Sequence, residues 1–144
     1  MSDSLSSSPY QRLGGEAGLR RLVDRFYEAM DTLPWAAGIR AMHEDLGRAN
    51  EKLYKFLSGW LGGPNLFWEA YGHPMLRARH LPFVIGPAER DQWMGCMRVA
   101  LLETVADIEL RETLEEALAR TAQHMINQPH EGHFGERGGV VLGR

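Results

Sequence analysis

The sequence predicts an all-α fold, and three observations carry that prediction. Four stretches place apolar residues at helical spacing, no stretch reads as a strand, and proline or glycine punctuates the chain between them. From Glu16, residues Leu19, Leu22, Val23, Phe26, Tyr27 and Met30 recur at steps of three and one, which draws one face of a long helix. Asp31-Thr32-Leu33-Pro34 breaks it, and Pro34 opens a short helical piece through Trp35 and Ile39 to Met42, with His43 at its exit. The second long helix carries Leu46, Ala49, Leu53, Phe56, Leu57, Trp60 and Leu61 on one side and Arg48, Glu51, Lys52 and Lys55 on the other. Gly62-Gly63-Pro64 stops it, and residues 65–71 form a compact connection bearing Phe67, Trp68 and Tyr71. A third helix, Pro87 to Val105, aligns Trp93, Met97, Ala100, Leu101 and Thr104. A fourth, Ile108 to Asn127, aligns Leu110, Leu114, Ala117, Leu118, Thr121, Ala122 and Met125. Four such helices form a plain bundle or a helical sandwich around a ligand, and periodicity does not choose between them.

At 144 residues and 44% hydrophobic content, the chain is long enough for one domain with a real core. Residues 1–8, with five serines, read as a disordered arm, and the ordered domain spans 9–128. It begins where Ser8 caps and Pro9 opens a short helix that Gly14-Gly15 stops. Residues 129–144 hold five glycines and read as a flexible tail. The net charge of −3 comes without a basic block, which argues against nucleic acid or an anionic membrane as partner. No apolar run reaches the roughly 20 residues a bilayer span needs, and the start lacks a signal pattern, so the expected location is cytoplasmic. Cys96, the single cysteine, excludes an intramolecular disulfide and suits a reducing compartment.

The chemistry centres on Gly72 to Phe83. Pro74 is placed to start a short helix and Pro82 to end it, which sets His80 on its last turn with Leu76, Leu81 and Phe83 around it. A neutral imidazole held in this way can offer a nitrogen to a metal centre, although an isolated histidine beside apolar residues is more often structural. Phosphate loops, the G-x-S-x-G elbow and paired-cysteine zinc patterns are absent from the sequence. His130-Glu131-Gly132-His133 falls one residue short of a zinc-protease motif and reads as a solvated tail segment. His73 reads as a turn residue, and nothing in the sequence assigns His124 to ligation.

Four quoted blocks together resemble the truncated haemoglobins of group II. They are Arg25-Phe26-Tyr27, the run Phe56-Leu57-Ser58-Gly59-Trp60-Leu61-Gly62-Gly63-Pro64, the Gly72 to Phe83 segment, and Glu89-Arg90-Asp91-Gln92-Trp93 followed by Cys96-Met97. The tryptophan near the start of the third long helix is the mark of group II. The resemblance covers about Pro9 to Gln128 and implies a two-over-two helical sandwich enclosing haem b, iron protoporphyrin IX, without covalent attachment. It places His80 as the proximal iron ligand. Tyr27 and Trp93 stand on the distal side as donors to bound ligand, with Ala49 and Leu53 on the distal helix. Phe56, Leu76, Phe83 and Met97 belong to the haem pocket, and Arg79 is a partner for a haem propionate. His43 departs from the family's usual tyrosine or phenylalanine, and we expect it to add a third donor whose strength depends on tautomer and pH.

The function so implied is reversible binding of O2, and of CO and NO, at a histidine-ligated iron. The alternative is a haem redox enzyme, a nitric oxide dioxygenase or peroxidase-like activity, which needs an external reductase because the sequence shows no reductase or flavin module. Monomer and homodimer are both left open.

Overall fold

The computed structural model describes residues 7–80 and 83–127, and every ordered element among them is helical. Helix α1, Pro9–Leu13, starts at a reciprocal cap. The Gln11 N–H donates to Ser8 Oγ at 3.1 Å and the Ser8 N–H donates to Gln11 Oε1 at 3.3 Å. Gly14, at φ +111°, turns the chain into α2, Gly15–Thr32. The two helices cross closely because Gly18 has no side chain; a Cβ there would lie 1.9 Å from the Leu13 carbonyl oxygen. On α2 the predicted face is the buried one, with Leu19, Leu22, Val23, Phe26 and Met30 almost wholly covered.

A 3-10 turn, Pro34–Ala36, and α3, Ala37–Ala41, lead to His43. Asp45 then caps α4, Leu46–Trp60, by accepting the Arg48 N–H at 3.1 Å. The following segment differs from its expected form. Leu66–Tyr71 folds as a helix, α5, which buries Phe67 and ends at Gly72, φ +83°. Its Phe67, Trp68 and Tyr71 already sit at helical spacing, but six residues are too few for periodicity to separate a helix from a connection.

Helix α6 is Leu76–His80, so Pro74 does not open it. Met75 takes a left-handed φ of +44°, and its N–H donates to His73 Nδ1 at 3.0 Å, which delays the helix past the proline. His80 nonetheless stands at the helix end, where its carbonyl accepts the Phe83 N–H at 3.0 Å. Pro82 and Leu81, expected to close the helix, lie outside the described residues, as do the tail and its His130–His133 run. Helices α7, Pro87–Thr104, and α8, Ile108–His124, complete the fold. Asn127 stands beyond the end of α8 and anchors the segment after His80. It accepts the Ile85 N–H at 2.9 Å through Oδ1 and donates to the Phe83 carbonyl at 2.8 Å through Nδ2.

The layers are α2 with α4 and α7 with α8, and α2 crosses α7 in the most extensive helix contact. This is the two-over-two sandwich. Because α7 meets α2, α3 and α8, it is buried on more than one side. Met94 and Cys96 are therefore as deep as the predicted Met97, Ala100 and Leu101, which a single stripe did not reveal. Burial pushes the Cys96 thiol up to about 11, which keeps it protonated and unreactive at neutral pH. No helix among the described residues is long and apolar enough to cross a membrane.

Candidate functional site

His80 meets the first requirement of a metal ligand, which is a ring fixed by its other nitrogen. Its Nδ1 lies 2.7 Å from the Leu76 carbonyl oxygen, one turn back on α6. A carbonyl only accepts, so Nδ1 carries the proton and Nε2 keeps its lone pair in the neutral ring. The bond also sets the direction in which that lone pair points.

The surroundings fit a large apolar prosthetic group. Helix α6 makes no extensive contact with any other described helix. Flanking it along the chain are Trp68, Tyr71, Met75, Phe83 and Val84, five of the nine large apolar side chains left exposed among the described residues. Phe83, expected in the pocket, is 44% exposed and neighbouring Val84 61%. A protein that covers its core this well leaves such a concentration of apolar surface where something else is meant to cover it. Leu53, Phe56 and Leu76 are half-buried, whereas Met97 is fully buried within the core. Arg79 is turned to backbone, with its guanidinium donating to the carbonyls of His73 at 3.0 Å and Tyr71 at 3.3 Å and lying over the Phe67 ring.

The candidate distal residues come together around Phe26. That ring meets Tyr27 edge-on at 4.7 Å and Trp93 at 5.0 Å between centroids. Tyr27 in turn meets His43 edge-on at 6.1 Å, and its hydroxyl donates to the Ala49 carbonyl at 3.2 Å. Burial holds the Tyr27 hydroxyl well above its ordinary pKa, so it remains a donor at any physiological pH. The indole N–H of Trp93 has no hydrogen-bond partner among the described residues, and the ring is half-buried. A cleft of about 460 Å³ between α2 and α4 reaches Tyr27 past Gly47 and Asn50, without touching either histidine.

His43 is fixed as His80 is. Its Nδ1 lies 2.9 Å from the Ile39 carbonyl oxygen, again four residues back. Burial, chiefly, lowers its pKa against the Ile39 bond, and the positive charge of Arg40 adds to the lowering. The neutral ring therefore turns an acceptor, not the expected third donor, away from Ile39.

Two positioning residues escaped the sequence reading. Gln92, beside Trp93, accepts the Ile39 N–H at 2.8 Å and so pins α3, which carries His43, to α7. Gly38 leaves room for it, since a Cβ there would lie 2.8 Å from Gln92 Oε1. Gln92→Leu strands the N–H of buried Ile39 and is expected to cost about 1–3 kcal/mol in chemical denaturation. Arg25 clamps α2 to α7 through paired bonds to Glu103 at 2.7 and 3.2 Å, which accounts for its place beside Phe26 and Tyr27.

An all-helical two-over-two sandwich is the fold of a globin of the truncated class. The chain belongs to the bacterial-like globin family, whose profile matches residues 8–127, and within it to the group II truncated haemoglobins, which are haem-binding proteins. It is 43% identical over 122 residues to the group 2 truncated haemoglobin YjbI of Bacillus subtilis, covering 85% of this chain and 90% of that one. Among solved structures it is similar to the cold-adapted truncated haemoglobin of Pseudoalteromonas haloplanktis, at TM-score 0.83 and 48% identity over 85% of this chain and 99% of the other. It is also similar to the group II 2-on-2 haemoglobin of Agrobacterium tumefaciens, at TM-score 0.82 and 49% identity over 83% and 94%.

Proposed function

We propose that this protein would hold haem b through His80 Nε2 and reversibly bind O2, CO and NO at the haem iron. The observation that carries this is the His80 Nδ1 bond to the Leu76 carbonyl. It leaves one nitrogen, of fixed direction, on a helix held off from the Tyr27, Phe26 and Trp93 cluster. The haem supplies the redox-active iron and its open coordination position. The chain would supply the ligating nitrogen of His80, an apolar wall from Leu53, Phe56 and Leu76, and hydrogen-bond donors from Tyr27 and Trp93.

Tyr27 and Trp93 divide that donor work. The Tyr27 hydroxyl is satisfied by a long bond to Ala49, and rotation about its C–O bond redirects the proton to a ligand at little cost. Trp93 brings an N–H that nothing described has claimed. A hydrogen bond to a charged acceptor contributes about 1.5–3 kcal/mol, so Tyr27→Phe and Trp93→Phe are each expected to speed O2 release about 10- to 100-fold. Stopped-flow measurement of O2 dissociation reads this directly, and unchanged rates in both variants overturn the distal assignment.

A further inference from the structure

His73 is held the opposite way round to His80 and His43, whose Nδ1 atoms donate to carbonyls. Its Nδ1 accepts the Met75 N–H at 3.0 Å, so the neutral ring carries its proton on Nε2. That acceptor supports strained backbone. Met75 has a left-handed φ of +44°, which a side chain of its size disfavours. Asparagine and aspartate commonly hold turns in this manner, by accepting the N–H two residues on. The turn is also the root of α6. The Met75 carbonyl accepts the Arg79 N–H at 3.0 Å, and the Arg79 guanidinium reaches back to the His73 carbonyl at 3.0 Å. Since α6 has no extensive contact with another described helix, His80 takes its position from this turn on one side and from Asn127 on the other.

We propose that His73 is a positioning residue for His80, holding the root of α6 while its ring is neutral and releasing it when the ring is protonated. A protonated ring carries N–H on both nitrogens, so Nδ1 turns from acceptor to donor and confronts the Met75 N–H. The surroundings offer no substitute. From α5, Trp68 meets the ring edge-on at 4.9 Å, and from α6 comes the cationic Arg79. From α4, Lys52 and Lys55 lie over the nearby Tyr71 ring at 5.6 and 5.5 Å. No carboxylate makes an ion pair with His73 among the described residues. The bond is therefore present above the range of about pH 5 to 8 in which histidines change charge, and it is lost as pH falls through that range. Met75 then relaxes from its left-handed conformation, and the direction of the His80 lone pair is no longer fixed from that side. The consequence, which rests on the haem reading given above, is a hold on haem that loosens reversibly in acid.

The test follows the diamagnetic ferrous carbonyl form by NMR between about pH 8 and pH 5, and haem transfer from the ferric chain to excess apomyoglobin over the same range. Nitrogen-15 shifts at the upper end are expected to show His73 bare at Nδ1 and protonated at Nε2. As pH falls, the Met75 amide proton is expected to shift with the midpoint of the His73 ring. Its protection from exchange is expected to drop about tenfold, the contribution of one ordinary hydrogen bond, while haem transfer speeds up. His73→Asn offers an acceptor that does not titrate, so its Met75 shift is expected to stay flat and its haem transfer in acid to be about tenfold slower than wild type. His73→Phe keeps a ring against Trp68 without an acceptor, and is expected to transfer haem about tenfold faster than wild type at the upper pH. Direct protonation of His80 affects wild type and His73→Asn alike, so the difference between them isolates His73. A protonated Nδ1 at the upper pH, a Met75 amide that ignores the ring, or one shared pH profile of haem transfer in wild type and His73→Asn overturns this proposal and leaves the haem reading standing. Failure of the wild type to take up haem overturns that reading instead, and the Met75 titration of the haem-free chain then decides the role of His73.

Discussion

Replacing His80 by glycine is expected to abolish native iron ligation while leaving the helices folded. Among the described residues the side chain hydrogen-bonds only within its own turn, to Leu76, and α6 makes no extensive contact with the other described helices. A glycine at a helix end costs at most about 1 kcal/mol, a small part of the roughly 5–15 kcal/mol that holds a domain together. Haem affinity behaves otherwise. Losing only the hydrogen-bond partner of a metal ligand lowers affinity about 10- to 100-fold, so losing the ligand is expected to cost more than about a hundredfold. Added imidazole fills the space left by the side chain and is expected to restore the wild-type absorption spectrum. A spectrum identical to wild type without imidazole would overturn His80 as the ligand.

The distinction between what the sequence disclosed and what it concealed follows the range of the interactions involved. Periods of three and four are local, and the four long helices begin and end within a few residues of where spacing and Gly62 put them, while Ser8 opens the short helix before them as expected. Helix α5 is too short for that signal, and the start of α6 was misplaced because the left-handed turn at Met75 is stabilised by His73, a contact proline statistics do not contain. Met94 and Cys96 were missed for a tertiary reason, since α7 is enclosed by several neighbours and one stripe undercounts its core. At the site, the resemblance named candidate residues, but the direction of their hydrogen bonds was not legible. Whether His43 donates or accepts depends on the Ile39 carbonyl, and α3 is placed by Gln92, which is far from it in sequence. A histidine's role is a property of both its nitrogens, and sequence names only the residue.

Phe26→Ala is expected to have the largest effect on stability, and it links the core to the site. Phe26 has no exposed surface and packs edge-on against both Tyr27 and Trp93. Truncating a buried phenylalanine typically costs about 3–5 kcal/mol, part of it from the cavity left behind. For a domain of this size the melting temperature is expected to fall by on the order of 10–20 °C, read by calorimetry or circular dichroism. The two lost ring contacts are worth about 0.5–1.5 kcal/mol each beyond simple burial, and they are also what sets the separation of Tyr27 and Trp93. Phe26→Leu separates the two roles, because it refills most of the volume without an aromatic edge and is expected to recover most of the melting temperature. If the ring positions the donors, O2 still leaves Phe26→Leu faster than wild type despite the restored stability. Wild-type release from that variant would confine Phe26 to the core and leave Tyr27 and Trp93 positioned by their own helices.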